Sequence, residues 1–162
     1  MSWWGETIVM VRHLIDDLDP TNYTYSNSRI ETAVLVSAQI VQSEVDFEQV
    51  YTISVEEGTI TPDPISPRDD AFLNLTALKT AALIMMSEYK TYSLSAVTVT
   101  DGPSTINYTQ VAGFIKTLYE NAQKGYEKYK FNYLSGAASL GKAILSPYSP
   151  GSDVIGHNFR SR

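Results

Sequence analysis

His13 stands three and four residues ahead of Asp16 and Asp17, so one turn of helix could set its imidazole beside a carboxylate. A base oriented by an acid is half of a hydrolytic centre. No nucleophile is attached to it by any motif, and the second histidine, His157, lies at the far end of the sequence. The plainer reading is a surface histidine beside an acidic helix end. Acid pairs recur at Asp16-Asp17-Asp19, Glu56-Glu57 and Asp69-Asp70. Paired carboxylates bind hard cations or move protons. Here, however, adjacent helical residues do not share a face, and the spacing of a calcium loop is missing. Asp69-Asp70 already suits the positive end of a helix dipole.

With no cysteine, thiolate nucleophiles, thiolate metal sites and disulfides are excluded. The stretch GAASLGK, Gly136–Lys142, ends in Gly-Lys but lacks phosphate-loop spacing, and Ala143 stands where a hydroxyl is needed. Tyr119, Tyr126, Tyr129, Phe131 and Tyr133 crowd one segment and could stack on bases. A net charge of −6 disfavours phosphate contacts, so core and subunit contact is the better reading. The sequence therefore assigns no catalytic residue, no cofactor-binding residue and no metal ligand.

The elements that would position such groups are mostly helical. A length of 162 residues suits one domain that holds a core without metal or disulfide. No apolar run approaches the ~18 residues of a membrane span. Met1-Ser-Trp-Trp-Gly-Glu has no basic stretch, and Glu6 and Arg12 interrupt the apolar residues near it, so no signal peptide is expected. The Asn-x-Thr sequons at Asn22, Asn74 and Asn107 then carry no weight, and synthesis in the cytoplasm is expected.

The spacing of Ile8, Val11, Leu14, Ile15 and Leu18 predicts a helix over 6–18, stopped by Asp19-Pro20. Ser28 and Glu31 fit a capping box ahead of Ile30, Ala33, Val34, Ser37, Ile40, Val41 and Val45, with Leu35 and Val36 widening the stripe. Alternation in 51–56, a turn at Glu57-Gly58 and Thr59–Pro62 predict a hairpin. Ser66-Pro67 with Asp69-Asp70 reads as the start of a third helix running to about Tyr92. Ala96–Thr100 reads as a strand, with a turn at Asp101-Gly102-Pro103 and Thr105-Ile106 pairing back. A last helix spans about 109–134. Its expected core positions are Val111, Phe114, Ile115, Leu118, Ala122, Tyr126, Tyr129 and Tyr133, with Gly113 and Gly125 allowing close approach of another helix.

The expected fold is mainly α: a bundle of three to four helices over 1–135, short β-hairpin insertions, and an extended C-terminal arm over 136–162. The arm carries a net charge of +2 and the rest −8. It keeps Ile144, Leu145, Tyr148, Val154, Ile155 and Phe159, more hydrophobes than a linker needs. It reads as an arm that docks on a partner.

Five stretches, in this order, resemble one protein family. They are VRHLIDDLDPTNYTYSNSRIETAVLVSAQIVQSEVDF (Val11–Phe47), TITPDP (Thr59–Pro64), DDAFLNLTALKTAAL (Asp69–Leu83), DGPSTIN (Asp101–Asn107) and AILSPYSPGSD (Ala143–Asp153). The family is the head-to-tail connector adaptors of tailed bacteriophages; Met1-Ser-Trp-Trp-Gly matches no motif of it. The resemblance implies a helical bundle with β insertions and no catalytic residue or cofactor. It implies a virion protein of the neck, made in the host cytoplasm, whose copies form a ring, commonly dodecameric, beneath the portal. The ring would extend the DNA channel, pass double-stranded DNA without sequence-specific binding, and receive a stopper or tail protein. The arm would touch the portal or a neighbouring subunit, and Pro147–Gly151 would belong to that contact. Ile144, Leu145, Tyr148, Pro150, Ile155, Phe159, Arg160 and Arg162 are the expected partner-binding residues. An acidic body suits a channel wall that must not grip DNA. The alternatives are another neck component, such as a stopper or tail terminator, and a small metal-dependent hydrolase using Asp16, Asp17 or Asp69.

Overall fold

Helix α1 (Trp3–Leu14) buries Trp3, Thr7, Val11 and Arg12, residues that recur along one helical face. In this computed structural model, residues 3–94, 98–101 and 104–137 are described, with side chains at 3–94 and 111–136. The helix begins and ends earlier than its periodicity predicts, so Leu18 lies beyond it and is exposed. Its end is closed by hydrogen bonds from Ile15 N–H to the Val11 carbonyl and from Asp17 N–H to the Arg12 carbonyl, both 3.0 Å. Asp16 between them takes the left-handed φ of 58° that such a cap requires, a region that short polar side chains tolerate. Trp3 stacks on Trp4 at 3.9 Å and sits in the domain's own core.

Helix α2 (Asn27–Glu44) is capped by Ser26, whose Oγ accepts from Arg29 N–H at 3.3 Å. The expected cap, Ser28, is already inside the helix. Ser26 is extended, with φ −65° and ψ 151°, as a capping residue must be. Ile30, Val34, Leu35, Ser37, Ala38 and Val41 form the buried stripe, and Val36 is exposed rather than part of it. Strands β1 (Thr52–Ser54) and β2 (Thr59–Thr61) form the expected antiparallel hairpin, with Ile53 opposite Ile60 and Gly58 in the turn at φ 70°.

Helix α3 (Asp70–Leu94) starts later than Pro67. Asp69 caps it, accepting from Phe72 N–H at 2.9 Å, and Asp70 places a carboxylate in the first turn as expected. From Phe72 to Ile84 it is buried on nearly every side, through Leu75, Thr76, Ala77, Thr80, Ala81 and Ala82 among others. These small residues let α1 and α2 pack directly against it. An aromatic cluster closes the end of the core: Tyr51 stacks on Phe72 at 4.0 Å, and Phe47 meets Phe72 edge-on at 5.4 Å.

Strands β3 (Thr98–Asp101) and β4 (Ser104–Asn107) pair antiparallel, with Val99 opposite Ile106. Ala96 and Val97, with which the expected strand opens, and Gly102-Pro103 of the turn lie outside the described residues. Helix α4 (Tyr108–Ala137) then returns along α3. Its C-terminal half is anchored by fully buried Tyr126 and by Tyr133, which lies 5.6 Å from Phe47. Its N-terminal half departs from the expected core. Val111, Phe114 and Leu118 are 41%, 65% and 38% exposed, because α4 packs mainly on α3 and neither α1 nor α2 covers that face. Tyr129 is likewise exposed. Gly113 and Gly125 admit no close helix: a Cβ at either would meet nothing within 4 Å. The bundle thus has four helices and two hairpins among the described residues, and none of these helices is long and apolar enough to cross a membrane.

The connection between α1 and α2 is held by a buried cation. Arg12 pairs with Asp17, and its other terminal nitrogen donates to the Tyr25 carbonyl at 2.9 Å and to Asn27 Oδ1 at 2.7 Å. The guanidinium lies 3.6 Å from the centre of the Tyr23 ring. Asp17 accepts in turn from Thr24 N–H at 2.8 Å. Removing one partner of a buried pair strands the other without solvation. Arg12→Leu is therefore expected to cost about 3–5 kcal/mol of unfolding free energy. Adding Asp17→Asn should recover part of that loss; urea melts of both variants check this, and strict additivity would contradict it.

Candidate interaction surface

Of the groups that invited a chemical reading, Asp17, Asp69 and Asp70 are engaged in structure. Asp17 is held by Arg12, and no hydrogen bond joins His13 to Asp16 or Asp17 among the described residues. His13 lines a shallow groove of about 480 Å³ with Val9, Leu14, Asn74 and Tyr129. Asp69 caps α3 and accepts from the Tyr51 hydroxyl at 2.9 Å. Burial, then the bond to Asp69, pushes that hydroxyl well above its ordinary range. Asp70 pairs with Arg68 at 2.6 Å, and Arg68 also reaches Glu6. Glu56 and Glu57 sit in the turn between β1 and β2. No cluster of three metal-ligating side chains occurs among the described residues.

A second polar node was not anticipated from sequence. Glu44, the last residue of α2, accepts from Tyr126 Oη at 2.7 Å and Lys130 Nζ at 2.9 Å on α4, and from Lys79 Nζ at 3.3 Å on α3. One carboxylate so ties three helices together. Burial alone would raise the Glu44 carboxyl. Hydrogen bonds from Tyr126 and Lys130, with the charge of Lys79, outweigh it and hold the carboxyl at about 2. Burial and then Glu44 push the Tyr126 hydroxyl far above its usual value. Burial lowers the Lys130 ammonium, but its bonds to Glu44 and Glu127 prevail and raise it. The signal in the sequence was faint: Tyr126 repeats at helical spacing, while Glu44 and Lys79 stand far apart in the chain.

A polar groove of about 280 Å³ opens beside Glu31, Glu56 and Glu57, and the larger open surface is apolar. Between the end of α1, the middle of α3 and the exposed half of α4 runs a groove of about 600 Å³. Leu14, Leu78, Met85, Phe114, Leu118 and Gly125 help to line it, and Asp16 is the one charged group in its wall among the described residues. Leu14, 48% exposed, and Leu78 also line the His13 groove, so the two form one continuous face. Contiguous apolar surface of this kind is where proteins, membranes or apolar ligands make contact. The residues expected to bind partners (Ile144, Leu145, Tyr148, Pro150, Ile155, Phe159, Arg160 and Arg162) lie outside the described residues.

Comparison of the chain with known protein families, curated proteins and solved structures found no match.

The Glu44 node makes stability depend on acid pH. A carboxyl lowered in the folded state stabilises above its unfolded value, and that contribution is lost as pH falls through the folded value. The window runs from 4.5 down to about 2. Glu44→Gln should be about 1–2 kcal/mol less stable at neutral pH, the partial exposure of the site reducing the effect. The gap to the unaltered protein should close across that window in urea melts. A gap that is constant with pH would show that the charge of Glu44 contributes nothing.

Proposed function

We propose that this chain is a structural virion protein, a head-to-tail adaptor whose copies form a ring beneath the portal, extend the DNA channel and link capsid to tail. The observation that carries the reading is the apolar face on α1, α3 and α4, beside charged groups that are occupied in holding helices together. A protein built this way works by contact. The ordered stretches that resemble the connector adaptors supply the kind of contact, and the helical bundle with two hairpins is the architecture that resemblance implies.

A patch on one copy that meets a different patch on the next generates a ring when the rotation closes. The apolar face is one half of such a heterologous contact. The acidic body, −8 over residues 1–137, suits a channel through which double-stranded DNA slides without adhering. The partners in this reading are other copies, the portal protein, and a stopper or tail protein; the chain performs no reaction and needs no cofactor.

In isolation the protein should sediment as a monomer or weak oligomer, and mixing with its portal should add a ring visible by electron microscopy. A tight ring of the pure protein would contradict the staged assembly. Particles that attach tails normally without this protein would overturn the function.

A further inference from the structure

The ribbon formed by β3 and β4 has the least packing of any element in the fold. Strand β1 lies against α2, whereas no other element packs substantially on β3 or β4 among the described residues. A two-stranded hairpin standing alone is marginal in water, and further strands are what stabilise it. Both edges of this ribbon are open, since its sheet has only these two strands. Natural edges are commonly guarded by lysine, proline or a bulge. Here Thr98–Asp101 and Ser104–Asn107 pair without a bulge and contain no lysine or proline. They are rich in threonine, valine and isoleucine, which favour strands. Strand β2, by comparison, runs directly into Pro62.

The register fixes which backbone groups are free. Asp101 and Ser104 close the ribbon around a two-residue turn and so form a hydrogen-bonded pair. Such pairs alternate along an antiparallel ribbon, so Val99 and Ile106 are bonded in the same way. Thr98 and Thr100 on β3, and Thr105 and Asn107 on β4, therefore turn their backbone N–H and C=O groups outward. The two edges match. With two ribbons side by side and their turns level, β3 of one runs antiparallel to β4 of the next. Thr100 then comes opposite Thr105 and Thr98 opposite Asn107, and each pair can exchange both of its hydrogen bonds. All four residues are uncharged, so no like charges meet across the joint.

We propose that the ribbons of neighbouring copies join edge to edge, β3 of one copy to β4 of the next, into a continuous antiparallel sheet. The inference rests on the reading that copies of this chain form a ring, and it adds a contact separate from the apolar face. Two observations select a second copy as the occupant. The outward groups of β3 and β4 agree in number and register, so the chain carries both halves of the joint. A joint between unlike edges also leaves the same two edges free at its ends, and it repeats until the rotation closes. A strand from an unrelated protein would cover one edge and leave the other exposed.

The absence of cysteine allows a direct test in the full-length protein. Two single-cysteine variants, Thr100→Cys and Thr105→Cys, one of them carrying a size tag, are mixed at high concentration under mild oxidation. Opposed Cα atoms in a hydrogen-bonded pair stand about 5.5 Å apart, within disulfide reach. The mixed dimer should dominate over both like dimers on a non-reducing gel. Thr100→Pro removes an outward N–H, which an edge strand tolerates, and should weaken self-association in sedimentation equilibrium about ten-fold without changing the circular dichroism spectrum. Thr105→Lys guards the other edge and should weaken it in the same direction. Like dimers in excess would mean a two-fold joint, and no disulfide would mean that copies do not meet at this edge; either result overturns the proposal. Self-association undiminished in both Thr100→Pro and Thr105→Lys would overturn the ribbon joint while leaving the ring itself to the portal experiment.

Discussion

Helix α3 is buried on nearly every side from Phe72 to Ile84, and the other elements take their places from it. A helix that is apolar all round must be wrapped by others. Here α1 and α2 close part of the circumference and α4 closes another. The alanines and threonines between Thr76 and Ala82 set how near those neighbours come. Around this axis the aromatic cluster of Phe47, Tyr51, Phe72 and Tyr133 seals one end. The other end, where α3 emerges into solvent and the β3–β4 hairpin turns the chain, has no such seal among the described residues.

That asymmetry decides where charge and apolar surface go. The cations and carboxylates nearest the core are used at helix junctions: Arg12 with Asp17 between α1 and α2, and Glu44 with Tyr126, Lys79 and Lys130 between α2, α3 and α4. Each is satisfied by several partners, which is how buried ionic groups become tolerable. The unsealed end keeps apolar side chains on its surface instead. The junction charges are thus engaged while an apolar face stays open, which is the feature the proposed function uses.

The helices and hairpins were legible because their local signals are strong. Val34 to Val41 carry the helical period, and Thr52–Thr61 carry alternation around Gly58. Boundaries were less so. Ser26 and Ser28 both suit a cap, and the sequence pattern favoured the serine paired with Glu31. The chain uses the one already in extended geometry. Pro67 resembles a first helical residue, yet Asp69 reaches the open N–H of Phe72 and takes the capping role. The stripe on α4 was read as core throughout. Spacing puts Phe114 and Leu118 on one side of α4 and Tyr126 about 120° round from Phe114, but does not show which of these sides α3 covers. The groove was illegible for the same reason, since Leu14, Met85 and Phe114 come together only through tertiary packing. The docking residues expected beyond Gly136 fall outside the described part of the chain.

The account turns on the open apolar face being a seat for polypeptide rather than a wetted surface. The Met85 methyl, in the groove wall, reports on this directly through nuclear Overhauser effects in the full-length protein. Cross-peaks to aliphatic or aromatic protons from outside α1, α3 and α4 are the predicted result. Cross-peaks only to water and to those three helices would contradict it.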